Sequence, residues 1–160
     1  MFSQSLFAIE PFSWVEIGAA VLCGFIIGSE RQFRGKPAGI RTSALIVLGT
    51  YIFVAASLFV ATQSTDPSRI IGQVVTGIGF LGAGVMLSRD GIVLGVTSAA
   101  TIWGLAAIGV CIAAVSVATA IKLSIVIVMV LVGVDLLEDY FATFTRGVHE
   151  RIARSTKKQG

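Results

Sequence analysis

Residues 76–84, TGIGFLGAG, decide how this chain of 160 residues is read. Gly77, Gly79 and Gly82 match the G-x-G-x-x-G fingerprint of a dinucleotide-binding loop. That loop needs a strand before it, a helix after it, and an acid about 20 residues further on for the ribose. Here RIIGQVV leads in without a turn, the run stays apolar to Leu87, and the nearest acid is Asp90. No P-loop sequence occurs either, so both nucleotide readings fail. Placed on a helix, Gly77 and Gly84 lie within about 20° of each other, and Gly72, Gly79 and Gly82 cluster nearly opposite. Small residues on two faces let neighbouring backbones approach, which is how helices associate in lipid. The run therefore predicts a central helix clasped on both sides, in which Gly79→Leu destabilises the fold. Local unwinding, which in transporters exposes carbonyls to ions, is the alternative.

Composition points the same way. Residues AVILMFWYC make up 55%, charged residues 13%, and the mean hydropathy is +0.91. Soluble domains carry about 25% charged residues. Crossing a hydrocarbon core takes about 20 apolar residues, and five stretches qualify: roughly 14–28, 42–62, 70–87, 97–114 and 118–136. The last two are separated only by CIAAVSVA, which predicts a tight hairpin. The expected fold is an all-α membrane protein with about five transmembrane helices in residues 1–138, followed by a basic amphipathic tail over 139–160. Arg31, Arg34, Lys36, Arg41, Arg89 and five cations of the tail fall on one side, leaving Arg69 and Lys122 elsewhere. The positive side stays cytoplasmic, which places the N-terminus outside and the C-terminus inside. Residues 1–13 have no Lys or Arg and no cleavage signal follows, so the first span reads as a retained anchor. Cys23 and Cys111 both fall within spans and read as inert small hydrophobes.

Much of the polar inventory reads as helix starts. Ser13 and Glu16 have capping-box spacing, although a carboxylate at a span edge is also a functional candidate. Asp66 followed by Pro67 suits the start of span three, and Thr97 and Ser98 the start of span four. In the tail, Leu137, Phe141, Phe144, Val148 and Ile152 form one stripe flanked by cations. That pattern suits the headgroup plane better than nucleic acid. His149 stands there without another metal-binding side chain nearby and reads as a surface residue.

Two groups are left as interaction candidates. Glu30, Arg31, Arg34, Lys36 and Arg41 crowd into a short loop with Gly35, Pro37 and Gly39. The loop serves topology alone, or it forms a shaped contact for anionic lipid, phosphate or a protein. Asp66, Arg69 and Gln73 mark the outer end of span three, where the Gln73 amide needs a polar neighbour or a cavity. Trp103, near mid-span, reads as a packing anchor. Nothing suggests an enzyme or a bound cofactor. Magnesium favours carboxylate oxygens, and Glu16, Asp66, Asp90 and Asp135 all fall near span ends or in loops. A magnesium path through one chain is therefore poorly provided for, whereas an oligomer lined by carbonyls or Gln73 is an alternative.

Three segments then combine into a resemblance. GFIIGSERQFRGKPAGIRTSALIVLGTYIF, DPSRIIGQVVTGIGFLGAGVML and GVTSAATIWGLAAIG, in this order over roughly residues 14–115, resemble the MgtC/SapB family of bacterial inner-membrane proteins. The resemblance implies a role in adaptation to low magnesium and in survival inside phagocytes. It also implies action on other membrane proteins such as the ATP synthase. Many relatives are labelled magnesium transporters, and many carry a soluble C-terminal domain whose role is not carried over. Thr97 and Gly104 stand where some relatives have Asn and Cys, a departure that bears on a virulence-type role. Two expectations follow: a regulator that binds another membrane protein or itself through glycine-faced helices, with loop 30–41 as cytoplasmic contact, or an oligomeric transporter of Mg²⁺ or another small solute.

Overall fold

The computed structural model describes residues 8–61, 66–89 and 92–140. Five helices follow in order: α1 (Trp14–Phe33), α2 (Ile40–Val60), α3 (Pro67–Gly84), α4 (Val96–Ala114) and α5 (Val117–Tyr140). Among the described residues, three helices are long and apolar enough to cross a membrane: α2, α4 and, in α5, the stretch Val117–Val134. Their mean hydropathies are 2.2, 1.8 and 2.6. The other two are diluted by polar groups. Glu16, Glu30 and Arg31 lie in α1, and Arg69, Gln73 and the glycines lie in α3.

The expected third span to residue 87 stops short at Gly84. An antiparallel hairpin follows, β1 (Leu87–Arg89) with β2 (Ile92–Leu94), in the register Leu87↔Leu94. The sequence between the strands is Asp90-Gly91, the strongest short hairpin signal, and the helix-oriented reading passed over it. Helix α4 then starts from Gly95 at φ 88°, a left-handed conformation that suits glycine. A Cβ there would also collide with the Val85 carbonyl oxygen. This corrects the expected cap: Thr97 and Ser98 lie inside α4, and Gly95 makes no side-chain cap hydrogen bond. Between α4 and α5 only Val115 and Ser116 intervene, as a tight connection requires. The Thr119 amide donates to Ser116 Oγ at 3.1 Å and so starts α5.

The described residues divide into two units, one ending at Ile127 and one beginning at Val128. In the first, α2 is the hub: it packs along α1 and α4 and, over a shorter stretch, along α3. Its buried residues Ser43, Ile46, Val47, Thr50, Tyr51 and Val54 recur every three or four positions, one face of a helix. Also buried are Cys23 and Ile27 of α1 and Leu105, Ile108 and Ile112 of α4, the two helices that pack most extensively on α2. The central place expected for α3 thus belongs to α2.

The glycines that bring helices together are also other than expected. A Cβ on Gly24 would run into the Ala44 backbone, and one on Gly28 would lie 2.6 Å from Ile40 Cα. These two residues form a GxxxG pair on α1, the spacing that lets two helix backbones touch. On α4, a Cβ at Gly109 would sit 2.6 Å from both Thr50 Cβ and the Val47 carbonyl oxygen. By contrast, Gly72, Gly77, Gly79 and Gly84 have no such neighbour within 4 Å, and Gly82 meets only Ala99 at 3.6 Å and beyond. Among the described residues, α3 packs along α4 and, over a shorter stretch, along α2, with most of its glycines facing neither. Trp103, expected as a packing anchor, is 55% exposed and lies outside the buried core.

Two buried hydroxyls bond within their own helices. Ser124 Oγ donates to the Ala120 carbonyl and Thr101 Oγ1 to that of Thr97, the back-bonding expected of hydroxyls inside apolar helices. The second unit is the remainder of α5 to Tyr140, which runs through the expected domain boundary. The amphipathic tail lies outside the described residues from position 141.

Candidate functional site

Charge concentrates where α1 ends. Glu30 and Arg31, expected in a loop, occupy the last turn of α1 and are 9% and 3% exposed. Glu30 Oε1 pairs with Arg34 Nε at 2.9 Å, and Glu30 Oε2 lies 3.8 Å from Arg31 Nη1. Arg31 Nη2 donates to Ser98 Oγ of α4 at 2.6 Å. Among the described residues, Glu30 Oε2 and Arg31 Nε have no hydrogen-bond partner. Charges removed from water are tolerated when paired. Here the pairing also ties the end of α1 to the start of α4. Ser98 was missed as part of this cluster because its sequence position suggested a cap.

The connection that follows is tightly built. The Lys36 amide donates to the Arg31 carbonyl at 2.9 Å, and the Ile40 amide to Gln32 Oε1 at 3.3 Å. Ser43 Oγ donates to the Ala38 carbonyl at 2.8 Å, with Ala38 itself at φ 62°. Lys36 and Arg41 remain exposed. The sequence cluster thus separates into an inward pair, Glu30 and Arg31, and an outward pair, Lys36 and Arg41.

The remaining candidates sit at the opposite end of the bundle. The Val15 amide donates to Ser13 Oγ at 3.3 Å, which makes Ser13 the α1 cap. The capping box is closed differently from expectation. The Ser13 amide donates to Tyr51 Oη at 3.2 Å, and Tyr51 Oη donates to Glu16 Oε2 at 2.7 Å. A buried tyrosine of α2 therefore bridges the two halves of the box. Asp66 caps α3, accepting from the Ser68 amide at 2.9 Å and the Ser68 hydroxyl at 2.7 Å. Those bonds, the hydroxyl foremost, hold the Asp66 carboxyl below its ordinary range. Arg69 is exposed on the same turn.

Gln73 lies apart from both clusters, on a groove between α2 and α3 of about 790 Å³. The walls are mostly apolar, with Thr42, Thr50 and Ser57 spaced along α2 and Gln73 and Gly77 on α3. From Thr42 to Ser57 is about 22 Å of helix, most of a hydrocarbon thickness. For the Gln73 amide, of which a polar neighbour or a cavity was expected, the structure shows a place on the groove wall. Among the described residues, no three His, Cys, Asp or Glu side chains gather in a metal-binding group.

Comparison with known proteins bears on what these sites serve. The MgtC family model matches residues 17–140. Protein MgtC of Salmonella typhimurium strain 14028s is 48% identical over 92 residues, covering 58% of this chain and 39% of that protein. A protein of Escherichia coli K12 named "Putative magnesium transporter YhiD" is 50% identical over 98 residues, 57% of this chain and 45% of its own length. Protein MgtC of Brucella abortus strain 2308 is 46% identical over 94 residues, 59% of this chain and 39% of that one. The chain thus spans less than half the length of these relatives. No solved structure matches. With a family match that takes in all five helices, this membrane protein belongs to the MgtC family.

Proposed function

We propose that the chain is a multi-pass protein of a bacterial inner membrane that acts in magnesium homeostasis by regulating other membrane proteins, without catalysing a reaction. The names of its relatives support the magnesium role. The observation that carries the regulatory reading is the lateral opening between α2 and α3. The groove, the Gln73 amide and the unpacked glycines of α3 all lie on the side of the bundle. A surface of that kind receives another helix. The N-terminus is outside and the α1–α2 connection cytoplasmic, which leaves Lys36 and Arg41 as a basic contact for a protein or anionic headgroups.

A second reading, transport of Mg²⁺ or another small solute, is favoured by the polar positions Thr42, Thr50, Ser57 and Gln73 along the same groove. A flux assay separates the readings, and a growth assay tests the magnesium role that both share. Purified protein in liposomes with a Mg²⁺-sensitive dye gives no flux above empty vesicles for a regulator. Expression in a strain lacking its own family member restores growth at low Mg²⁺. Flux that Gln73→Ala abolishes overturns the regulatory reading in favour of transport.

A further inference from the structure

The groove between α2 and α3 carries uncompensated charge at one end. On α2, Leu45, Gly49, Phe53 and Ser57 line it at intervals of four residues, and Arg41 continues that row by one turn. Arg41 is exposed, as is Lys36 in the connection before the helix, and neither makes an ion pair among the described residues. At the opposite end Arg69 lies near Asp66, whose carboxylate offsets it. Two glycines keep the slot open: a Cβ on Gly49 of α2 or on Gly77 of α3 would meet nothing within 4 Å. Leu45 and Phe53, 62% and 70% exposed, stand one turn to either side of Gly49. From Thr42 to Phe53 the helix rises about 16 Å, close to half of a hydrocarbon core about 30 Å thick.

We propose that the half of the groove next to Arg41 binds an anionic phospholipid, with its phosphate on Arg41 and Lys36 and one acyl chain laid over Gly49. The proposal rests on the reading of Lys36 and Arg41 as a cytoplasmic contact, and it adds an occupant for the groove beside them. Charge and length select that occupant. A guanidinium offers a phosphate two parallel N–H donors. Two cations without an acid favour a headgroup of net negative charge over a zwitterionic one, whose ammonium they repel. Basic pockets between spans on the cytoplasmic side hold such headgroups. A chain that descends from Arg41 through one leaflet passes Leu45 and Gly49 and ends near Phe53, before Ser57 and Gln73. A partner helix would have to bring an acid to Arg41, whereas the leaflet supplies phosphate throughout. The half beside Gln73 stays open to a helix, so lipid and partner share the groove.

Native mass spectrometry of the full chain tests this, after release into mild detergent from vesicles of phosphatidylethanolamine and phosphatidylglycerol. The wild-type protein should retain phosphatidylglycerol in preference to phosphatidylethanolamine. Arg41→Gln should lower that retention at least about tenfold, as expected for the loss of a charge-assisted hydrogen bond. Gly49→Leu and Gly77→Leu fill the slot from opposite walls and should lower it by a similar factor. Both should keep the wild-type melting temperature, because their side chains enter open space. Arg69→Gln, at the far end of the groove, and Gly79→Leu, outside its lining, should leave retention unchanged. Equal retention of the two lipids overturns the proposal, as does an equal loss in Arg69→Gln. Undiminished retention in both Gly49→Leu and Gly77→Leu also overturns it, as does a co-purifying protein in place of the lipid. Low-Mg²⁺ growth of strains carrying the same proteins is scored separately. Selective lipid retention without growth support removes the magnesium role and leaves the lipid site standing, and growth without lipid preference does the reverse.

Discussion

Arg31 is the side chain on which most of the geometry at the end of α1 depends. Its guanidinium reaches Ser98 Oγ on α4 while its neighbour Glu30 holds Arg34. Removing one member of a buried pair leaves an uncompensated charge, at a cost of about 3–5 kcal/mol. Arg31→Ala should therefore lower the detergent melting temperature sharply. Ser98→Ala, which removes one charge-assisted hydrogen bond, should cost about 1.5–3 kcal/mol and lower it less. Equal melting of all three proteins would contradict the assigned roles. At the other end, Tyr51 combines a fully buried ring with a hydroxyl that serves both Ser13 and Glu16. Tyr51→Phe keeps the ring packing and removes both bonds. Urea unfolding should show a loss of about 1–3 kcal/mol, at the level of two hydrogen bonds.

Among the elements, the glycines sort into two classes by what faces them. Gly24, Gly28 and Gly109 mark helix crossings, where a side chain would push α1 or α4 off α2. Overpacking of this kind costs about 1–3 kcal/mol, and more where the obstacle is backbone. Gly28→Leu and Gly109→Leu should reduce the yield of folded protein in size-exclusion chromatography from detergent. Gly79→Leu should not, because among the described residues nothing lies within 4 Å of a Cβ at that position. This reverses the outcome expected from sequence, where the density of glycines in α3 drew attention away from the sparser GxxxG pair in α1. Composition shows how many small residues a helix has. Which of them meet a neighbour depends on the crossing points.

On the scale of the first unit, α1, α2 and α4 form the close-packed part and α3 stands beside them with one face open. Contacts of Arg31 with Ser98 and of Gly82 with Ala99 bring the end of α1, the end of α3 and the start of α4 to one end of the bundle. The start of α1 and the later part of α2 meet at the other, through Tyr51. The proposed orientation assigns the first end to the cytoplasm. With Cys23 and Cys111 replaced by Ala, a membrane-impermeant maleimide added to intact cells should label Ser68→Cys and spare Lys36→Cys. Inverted vesicles should give the opposite result, and reversed labelling would reverse the orientation.

Sequence alone determined the membrane class, the number of helices, the caps at Ser13 and Asp66, and the family, because these follow from local composition, hydropathy and motif order. The short turn between α4 and α5 was legible for the same reason. Other features depended on contacts between residues far apart in the chain. Tyr51 closing the Ser13–Glu16 box, Arg31 reaching Ser98, and α2 as hub in place of α3 are all of this kind. A hydrophobic helix in a membrane protein carries little facial contrast, since lipid and core are equally apolar. Only tertiary structure decides which face is packed inside. That is why TGIGFLGAG could be identified as helix from its own letters, while the open side of its helix became visible only once the neighbours were in place.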